Sequence, residues 1–483
     1  MNLRLTPLVM AMAVLAVTPA TFAQEANAGQ SAWAGKKSAW LQLQDGQREE
    51  VSRFAEKYKQ YLGAARNASL ASAEAMKMAK AAGFVELTSP GQVRPGARLI
   101  LPTRDRTVVL AVVGQQPLAS GSRVVATHHD SPHIGLKARP VVSGAQGSVA
   151  LFQTVFYGGI KKHQWANVPL ALVGKIETPD GRSIDVSIGV NPDDPVFVIG
   201  DSAPHADKDL RTRVYTDVFK GEELDPIAGS IPSAKAGVVG EVLRALKEKY
   251  RIDEEDFVSA DLALVPATAP RDVGIDRGMV GAYGQDDRLS TYCALKAITE
   301  IEGTPAQTAI VYVSNYEEVG SPNNTGASSQ VLSNAYARLV GGQKASSSPD
   351  LDLRAALRNA QVVSADTNDG INPVFPDATE ASNAAKVGFG VTIKRYGGGF
   401  DANPDFTAKI RGVLDKGAIP WQTHTPKVDV GTGGTIGKFM SAQEMEVIDM
   451  GVPLISMHST FELSSKVDVW YFYRFMKAYY ATR

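Results

Sequence analysis

The sequence predicts an α/β protein, a three-layer sandwich with a mostly parallel central sheet, together with an inserted β-rich domain. Short β-branched runs such as "RTVVLAVVG" and "SRVVATHH" are typical of buried strands. From Gly284 onward, strand-like runs alternate with helical stretches, the pattern of parallel strands joined by crossover helices. Residues 143–279 contain a succession of strand-like runs with few helical stretches, which predicts the insertion. Residues 24–142 and 280–483 are then the two parts of the α/β domain.

Residues 1–23 predict an export signal. Arg4 precedes an apolar stretch, and the segment closes with Thr21, Phe22 and Ala23, after which we expect cleavage. The alternative is a membrane anchor, but the stretch is shorter than the about 20 residues that a spanning helix needs. The mature chain is therefore expected to be exported, either periplasmic or secreted, and free of the membrane.

The segment that follows carries a helical pattern. Val51, Phe54, Tyr58 and Tyr61 are spaced three and four residues apart, which predicts an amphipathic helix in a covering pair. In the predicted insertion, "IETPDGRSIDVSIG" is typical of a hairpin, and "AGVVGEVLRALKEKY" and "DLALVPA" predict a helix and a strand.

Charge and cysteine content limit the classes of function. Lys plus Arg total 50 against 51 for Asp plus Glu, so no excess of positive charge favours a nucleic-acid partner. Cys293 is the one cysteine in the sequence, which excludes a metal site built from several thiolates. Any metal ion must be held by histidines and carboxylates.

Several predicted strands end directly before side chains that bind metals. Because ligands of open α/β sheets bind beyond the carboxyl ends of the strands, these residues are expected to converge. So many carboxylates in one cleft need cations, and a bridged pair of ions is the arrangement that such clusters use. The residues at these positions are His128, His129, Asp130, Asp286, Asp287, Glu317, Glu318, Asp366, Asp369, His458 and Glu462.

Each of these signals has an ordinary structural alternative. A Glu-Glu pair is usually a solvated loop, an Asp-Asp pair before a helix usually caps it, and a histidine after an apolar run is usually a hydrogen-bonded core residue. The set as a whole favours a metal site more strongly than any member does.

The motifs "HHDSP", "GQDDR", "NYEEVGS", "SAD" and "MHSTFE", in this order, resemble those of the aspartyl aminopeptidase family, also called aminopeptidase I, of dinuclear zinc exopeptidases. The resemblance runs from about residue 45 to the C-terminus and includes "YGGIKKHQW" and "DVGTGGTIGKFM". It implies a central sheet that carries two zinc ions per subunit, with cobalt or manganese as substitutes. It also implies dimers that build a dodecamer, with residues 143–279 as the oligomerisation domain.

The resemblance implies roles for the residues at the strand ends. Glu317 would be the general base, and Asp130 would orient a ligand histidine. His128 is favoured over His129 as that ligand by its spacing to Asp130, although the duplicated imidazole leaves both open. The implied metal ligands are His128, Asp287, Glu318, Asp366 and His458, with Asp287 bridging the ions.

Substrate contacts are implied for four further residues. His163 would reach the active site of a neighbouring subunit, and Lys394, Gly433 and Gly434 resemble positions that contact substrate. Acidic specificity is not implied, because Asp286-Asp287-Arg288 differs from the Leu-Asp-Asn common among aspartate-preferring members.

The expected function is therefore that of an exported zinc aminopeptidase, which hydrolyses the N-terminal residue of peptides through a metal-bridged water with Glu317 as base. The alternatives are a dinuclear deacylase or carboxypeptidase, or a non-catalytic metal-binding assembly protein. The preferred N-terminal residue stays open.

Overall fold

The structure is a computed structural model that describes residues 35–343, 348–397, 400–429 and 433–482. The predicted export signal at 1–23 lies outside the described residues and stays a prediction. Ser38–Arg483 forms one compact unit. Within the described ranges, no helix is both long and apolar enough to cross a membrane.

The helices begin with the pair predicted near the start of the chain. In chain order they are α1 (Gln47–Ala64), α2 (Ala68–Ala81), α3 (Gly237–Ala245), α4 (Gln285–Thr299), α5 (Val331–Gly342), α6 (Pro349–Arg358), α7 (Pro404–Lys416), α8 (Gly437–Ser441) and α9 (Lys466–Tyr480). The helix predicted from the spacing of Val51, Phe54, Tyr58 and Tyr61 is confirmed as α1, and these side chains are buried.

The strands of the described residues fall into three sheets. The first half of the chain contains β1 (Val85–Glu86), β2 (Arg98–Leu101), β3 (Val108–Val112), β4 (Ser122–His128), β5 (His133–Ser143), β6 (Ala150–Tyr157), β7 (Leu170–Glu177), β8 (Ser183–Ile188), β9 (Ile227–Gly229) and β10 (Ala260–Pro266). The second half contains β11 (Arg271–Val273), β12 (Met279–Ala282), β13 (Thr308–Ser314), β14 (Ala360–Ala365), β15 (Asn368–Asp369), β16 (Val391–Lys394), β17 (Trp421–His424), β18 (Glu446–Gly451), β19 (Pro453–Ile455) and β20 (Glu462–Ser465).

The largest sheet among the described residues has nine strands in the order β1-β2-β3-β13-β4-β14-β18-β16-β17. Its central strands β13, β4, β14 and β18 run parallel. The flanking pairs β2–β3, β3–β13 and β16–β18 are antiparallel. The protein is therefore a mixed α/β fold with several sheets, and its parallel strands are concentrated at the centre of the largest one.

Both faces of this sheet are covered. Leu110 and Val112 of β3 belong to a core that includes residues of α1, α2, α4, α7 and α9, whereas Val109 and Ala111 belong to a core that includes residues of α5, α6 and α8. Successive side chains of a strand point to opposite faces, so one apolar run supplies both cores.

A second, antiparallel sheet has the order β8-β7-β10-β5-β6-β9 and packs on its own core, which contains Phe152, Trp165 and Leu264. The predicted hairpin is confirmed as β7–β8. This sheet already includes β5, which begins at His133, while β11 and β12 join a third sheet, β11-β12-β20-β19-β15. The bounds 143–279 for an inserted domain stay a prediction.

Candidate metal centre

The candidate ligands follow the carboxyl ends of adjacent parallel strands. β4 ends at His128, which lies in register with Ser314 at the end of β13. β14 ends at Ala365, directly before Asp366. Because β13, β4 and β14 are neighbours in the sheet, the residues that follow them are brought to one edge, as expected for a ligand site in an open α/β sheet.

His128 faces two carboxylates with one ring nitrogen. Its Nε2 atom lies 3.8 Å from Oδ1 of Asp286 and 3.7 Å from Oδ1 of Asp366. On the other side of the ring, Nδ1 lies 3.1 Å from the backbone carbonyl oxygen of Asp130 and 3.3 Å from its Oδ1. Both of these oxygens accept, so Nδ1 donates, and Nε2 is the ring nitrogen that faces the carboxylates.

Two overlapping groups of side chains can each hold a metal ion. In each group, one ligand atom per residue lies within 4.8 Å of the others. The first group is His128, Asp287 and Asp366, and the second is His128, Asp286 and Glu318. His458 adjoins the second group, because its Nε2 lies 3.0 Å from Oδ2 of Asp286 and 3.2 Å from Oε2 of Glu318.

Asp286 is the residue that sequence reasoning left out of the ligand set. Its carboxylate contacts His128 and His458, which follow different strands. Asp287, the residue chosen from the sequence, is fully buried, and its Oδ2 accepts a hydrogen bond from the backbone N–H of His128 at 3.4 Å. In the sequence, the adjacent pair Asp286-Asp287 at the start of α4 indicates a ligand. Spacing alone does not show which of the two aspartates contacts the imidazoles.

His129 points away from the carboxylates. Its ring is fully buried, and Nε2 lies 2.9 Å from the carbonyl oxygen of Arg106. Burial lowers the pKa of His129 to about 4, so the ring is neutral near pH 7. Of the two adjacent imidazoles, the structure therefore brings His128 to the cluster.

Asp130 is held by donors on several sides. The Tyr157 hydroxyl donates to Oδ2 at 2.6 Å, and the backbone N–H groups of Glu317 and Glu318 donate to the carboxylate at 3.2 Å each. Burial alone would raise the pKa of Asp130, but the hydrogen bonds from His128 and Tyr157 lower it to about 2. Asp130 is thus an ionised, fixed partner for the His128 ring.

Three further acids at the site, Glu317, Glu318 and Asp366, have shifted pKa values. Burial, with repulsion from Asp366 and Glu318, raises the pKa of Glu317 to about 8. Burial also raises the pKa of Glu318 to about 7, although His458 opposes the shift. Burial would raise the pKa of Asp366 too, but Lys394 and His128 hold it below its usual range.

These residues fit a divalent cation. Among the described residues, Oδ1 of Asp286, Oδ1 of Asp287 and Oε1 of Glu318 are buried without a hydrogen-bond partner. Buried carboxylate oxygens without donors are costly, and cations relieve that cost. Imidazole nitrogen together with carboxylate oxygen is a ligand combination that zinc accepts.

The cluster opens into a cleft of about 570 Å³ whose lining includes Glu317, Lys394, Gly433 and Gly434. Lys394 is nearly buried there, with Nζ 3.6 Å from Oδ2 of Asp366. His163 does not line this cleft within the described chain, since its ring packs against Tyr215 with centroids 5.2 Å apart.

Glu462, one of the acids that follow the predicted strands, connects two parts of the site. It accepts hydrogen bonds from the backbone N–H of His458 at 2.7 Å, of Gln285 at 2.6 Å and of Asp286 at 3.1 Å. This one carboxylate therefore joins the His458 loop to the start of α4. Burial raises its pKa to about 8.

Comparison with known proteins shows a family match and close sequence relatives. The sequence model described as "Aminopeptidase I zinc metalloprotease (M18)" matches residues 64–480. A probable M18 family aminopeptidase 1 from Borrelia garinii is 36% identical over 460 residues, covering 92% of this chain and 99% of the relative. One from Thermotoga maritima is 37% identical over 444 residues, covering 90% and 96%.

Solved structures agree with these sequence matches. The crystal structure of the M18 aminopeptidase from Thermotoga maritima has a TM-score of 0.86 at 36% identity, covering 92% of this chain and 99% of that one. The S. cerevisiae mApe1 dodecamer has a TM-score of 0.71 at 19% identity, covering 88% and 95%, which shows a similar fold.

Proposed function

This chain belongs to the aminopeptidase I zinc metalloprotease family, and from this premise we propose that it removes N-terminal residues from peptides at a centre holding two zinc ions per subunit. Family membership makes it a metalloaminopeptidase. The observation that carries the proposal is the pair of ligand groups that overlap at His128, with His458 beside them.

The ligands are assigned by their contacts. One ion would be held by His128, Asp286 and Asp366, with the carboxylate of Asp287 also within reach of this group. The other would be held by Asp286, Glu318 and His458. Asp286 takes the shared position in place of Asp287, because its carboxylate faces both imidazoles. Asp287 also accepts a hydrogen bond from the backbone N–H of His128. Cobalt or manganese would substitute for zinc, since the same nitrogen and oxygen donors suit them.

Glu317 is the general base. When bound, the ions polarise the scissile carbonyl and make the attacking water more acidic. Glu317 accepts the proton of that water and passes it to the leaving amine, because its side chain lines the cleft and lies in neither ligand group. Asp130 keeps the His128 ring in the tautomer that presents Nε2.

Substrate binds along the cleft beside Lys394, Gly433 and Gly434. His163 acts on the substrate of a neighbouring subunit, in agreement with its position outside the cleft of its own chain. The active form is a homo-oligomer, and the dodecamer of a yeast relative with the same fold supports this arrangement.

The proposal also includes the domain arrangement and the export of the chain. Residues 143–279 act as an inserted oligomerisation domain between 24–142 and 280–483, which form a three-layer sandwich around the nine-stranded sheet. Residues 1–23 direct export to the periplasm or the medium, a role supported by the apolar stretch after Arg4 and by the small residue Ala23.

The test is a cleavage assay on zinc-loaded protein with a panel of aminoacyl-anilides and peptides. We expect two zinc ions per chain and release of the N-terminal residue when the α-amino group is free. The matched substrates are the same compounds with an acetylated amine, which should resist cleavage. Cleavage of the acetylated series, or a requirement for a free C-terminal carboxylate instead, would refute the proposal.

A further inference from the structure

One short segment of the antiparallel sheet contacts both sides of the metal centre. It consists of Tyr157, at the end of β6, with Gly158 and Gly159, and is called the Tyr157–Gly159 segment below. Its first residue contacts Asp130, its second packs against Glu318, and its third contacts His458. None of the three has a ligand atom in the metal-binding groups.

Tyr157 orients the ring of His128 through Asp130. Its hydroxyl donates to Oδ2 of Asp130 at 2.6 Å, while Oδ1 of the same carboxylate lies 3.3 Å from Nδ1 of His128. The Tyr157 ring stacks on His133 with centroids 4.6 Å apart and an interplanar angle of 21°. The stacked ring fixes the hydroxyl, the hydroxyl fixes the carboxylate, and the carboxylate fixes the orientation and tautomer of His128.

The backbone carbonyl of Gly159 orients the ring of His458. Nδ1 of His458 lies 3.1 Å from the carbonyl oxygen of Gly159. A carbonyl oxygen can only accept, so Nδ1 carries a proton and Nε2 is the ring nitrogen left to bind a metal ion. That nitrogen faces Asp286 and Glu318. The backbone of the segment therefore does for His458 what Tyr157 does for His128.

Gly158 allows this close approach. Its φ of +74° lies in the left-handed region, and a Cβ atom there would lie 3.2 Å from Cβ of Glu318 and 3.2 Å from Cβ and Cγ of Pro132. A larger residue would be strained by its backbone and would press on the chain at Glu318. Glycine at this position lets one segment reach both imidazoles.

Resting on the proposed function, we propose that the Tyr157–Gly159 segment positions both imidazole ligands and so sets the zinc affinity of the centre. Its residues are positioning residues, since they act through Asp130, His458 and Glu318. Because β6 belongs to the antiparallel sheet, the position of that sheet relative to the nine-stranded sheet is coupled to metal binding.

The test is a zinc titration of the full-length protein against a chelating competitor. Tyr157→Phe removes one hydroxyl and should weaken zinc binding about 10- to 100-fold, the cost usual for such outer partners of a metal ligand. The affinity for zinc is the readout, and kcat measured at saturating zinc separates a loss of metal from a loss of turnover. The control is Tyr336→Phe, which removes a buried hydroxyl bonded to Ser122 at the opposite end of β4.

Gly158→Ala provides a second, independent variant. It should also weaken zinc binding, whereas Gly181→Ala should not, because Gly181 has a similar φ of +84° but no atom within 4 Å of its Cβ position. Thermal melting of each variant checks folding. Zinc affinities of Tyr157→Phe and Gly158→Ala within about twofold of their controls would overturn the inference. The titration needs no peptide cleavage, so failure of the proposed activity and failure of this inference are separate results.

Discussion

The Nε2 atom of His458 lies 3.0 Å from Oδ2 of Asp286, a residue 172 positions away in the chain. The Oδ1 atom of the same carboxylate lies 3.8 Å from Nε2 of His128. One aspartate thus stands between two imidazoles that follow different strands.

Asp286→Asn should weaken zinc binding more than Asp287→Asn does. Removing the charge at Asp286 weakens both proposed sites, whereas Asp287 adjoins one site only and also accepts a hydrogen bond from the backbone of His128. We expect Asp286→Asn to weaken zinc binding more than about 100-fold, beyond the range typical of outer partners. Zinc content after dialysis against a weak chelator measures this. Equal losses in the two variants would mean that Asp287 shares the bridging role.

Glu317→Gln should keep its metal and lose its turnover. The amide cannot accept a proton, so kcat should fall about 10²- to 10⁴-fold while two zinc ions remain bound. Steady-state kinetics and metal analysis on the same preparation measure both quantities. Glu444→Gln, a change at an exposed surface glutamate, is the matched control. Turnover near that of the control would remove Glu317 from the role of base.

Metal removal should lower stability as well as activity. Without cations, the buried carboxylates of Asp286, Asp287 and Glu318 repel one another, and each has an oxygen without a donor. We expect a chelator to abolish peptide cleavage and lower Tm, and added zinc, cobalt or manganese to restore both. An unchanged Tm after complete removal, verified by metal analysis, would contradict the electrostatic argument.

The stability of the protein should depend on pH through His424. Burial, with a contribution from Lys394, lowers the pKa of His424 to about 4, and the backbone N–H of Ala385 lies 3.5 Å from its Nδ1. The unfolded chain takes up the proton near pH 6.5 and the folded chain only near pH 4, so stability is lost as pH falls through this window. At roughly 1.4 kcal/mol per pKa unit, the loss from this residue is at most about 3.5 kcal/mol.

The measurement is the difference in Tm between pH 7.5 and pH 4.5 for metal-free protein. His424→Gln should reduce this difference, whereas His205→Gln, at an exposed histidine, should leave it as in the unmodified protein. A difference unaffected by His424→Gln would show that the half-buried His424 ring does not contribute to acid sensitivity.

His163→Ala tests the expected contact between subunits. The His163 ring packs against Tyr215 and is outside the cleft of its own chain. We expect kcat/KM to fall roughly tenfold or more, as for loss of a hydrogen bond to a charged group, with zinc content unchanged. An activity equal to that of the unmodified protein, in a preparation of the same oligomeric size, would exclude a substrate role.

Much of the fold was predictable because it depends on local patterns. The helix α1 follows from the spacing of its apolar residues, and the β7–β8 hairpin follows from the Pro179–Gly181 turn. Less predictable were the strands that leave their expected domain. β5 begins at His133 and joins the antiparallel sheet, and β12 pairs with β20 far along the chain. These pairings depend on contacts that no short stretch of sequence contains.

The sequence by itself determined which residue types gather at the strand ends. A parallel sheet brings its carboxyl ends to one edge, so apolar runs that stop at histidine and acids already indicate a metal centre. Only the tertiary structure decided which neighbour of each pair faces the metal. The ring of His128 faces the carboxylates while that of His129 faces the Arg106 carbonyl, because adjacent side chains leave a strand in different directions. Both Asp286 and Asp287 lie at the cluster, but the carboxylate of Asp286 contacts both imidazoles. The role of Tyr157 and Gly159 was likewise decided by packing, since it arises where one sheet meets another.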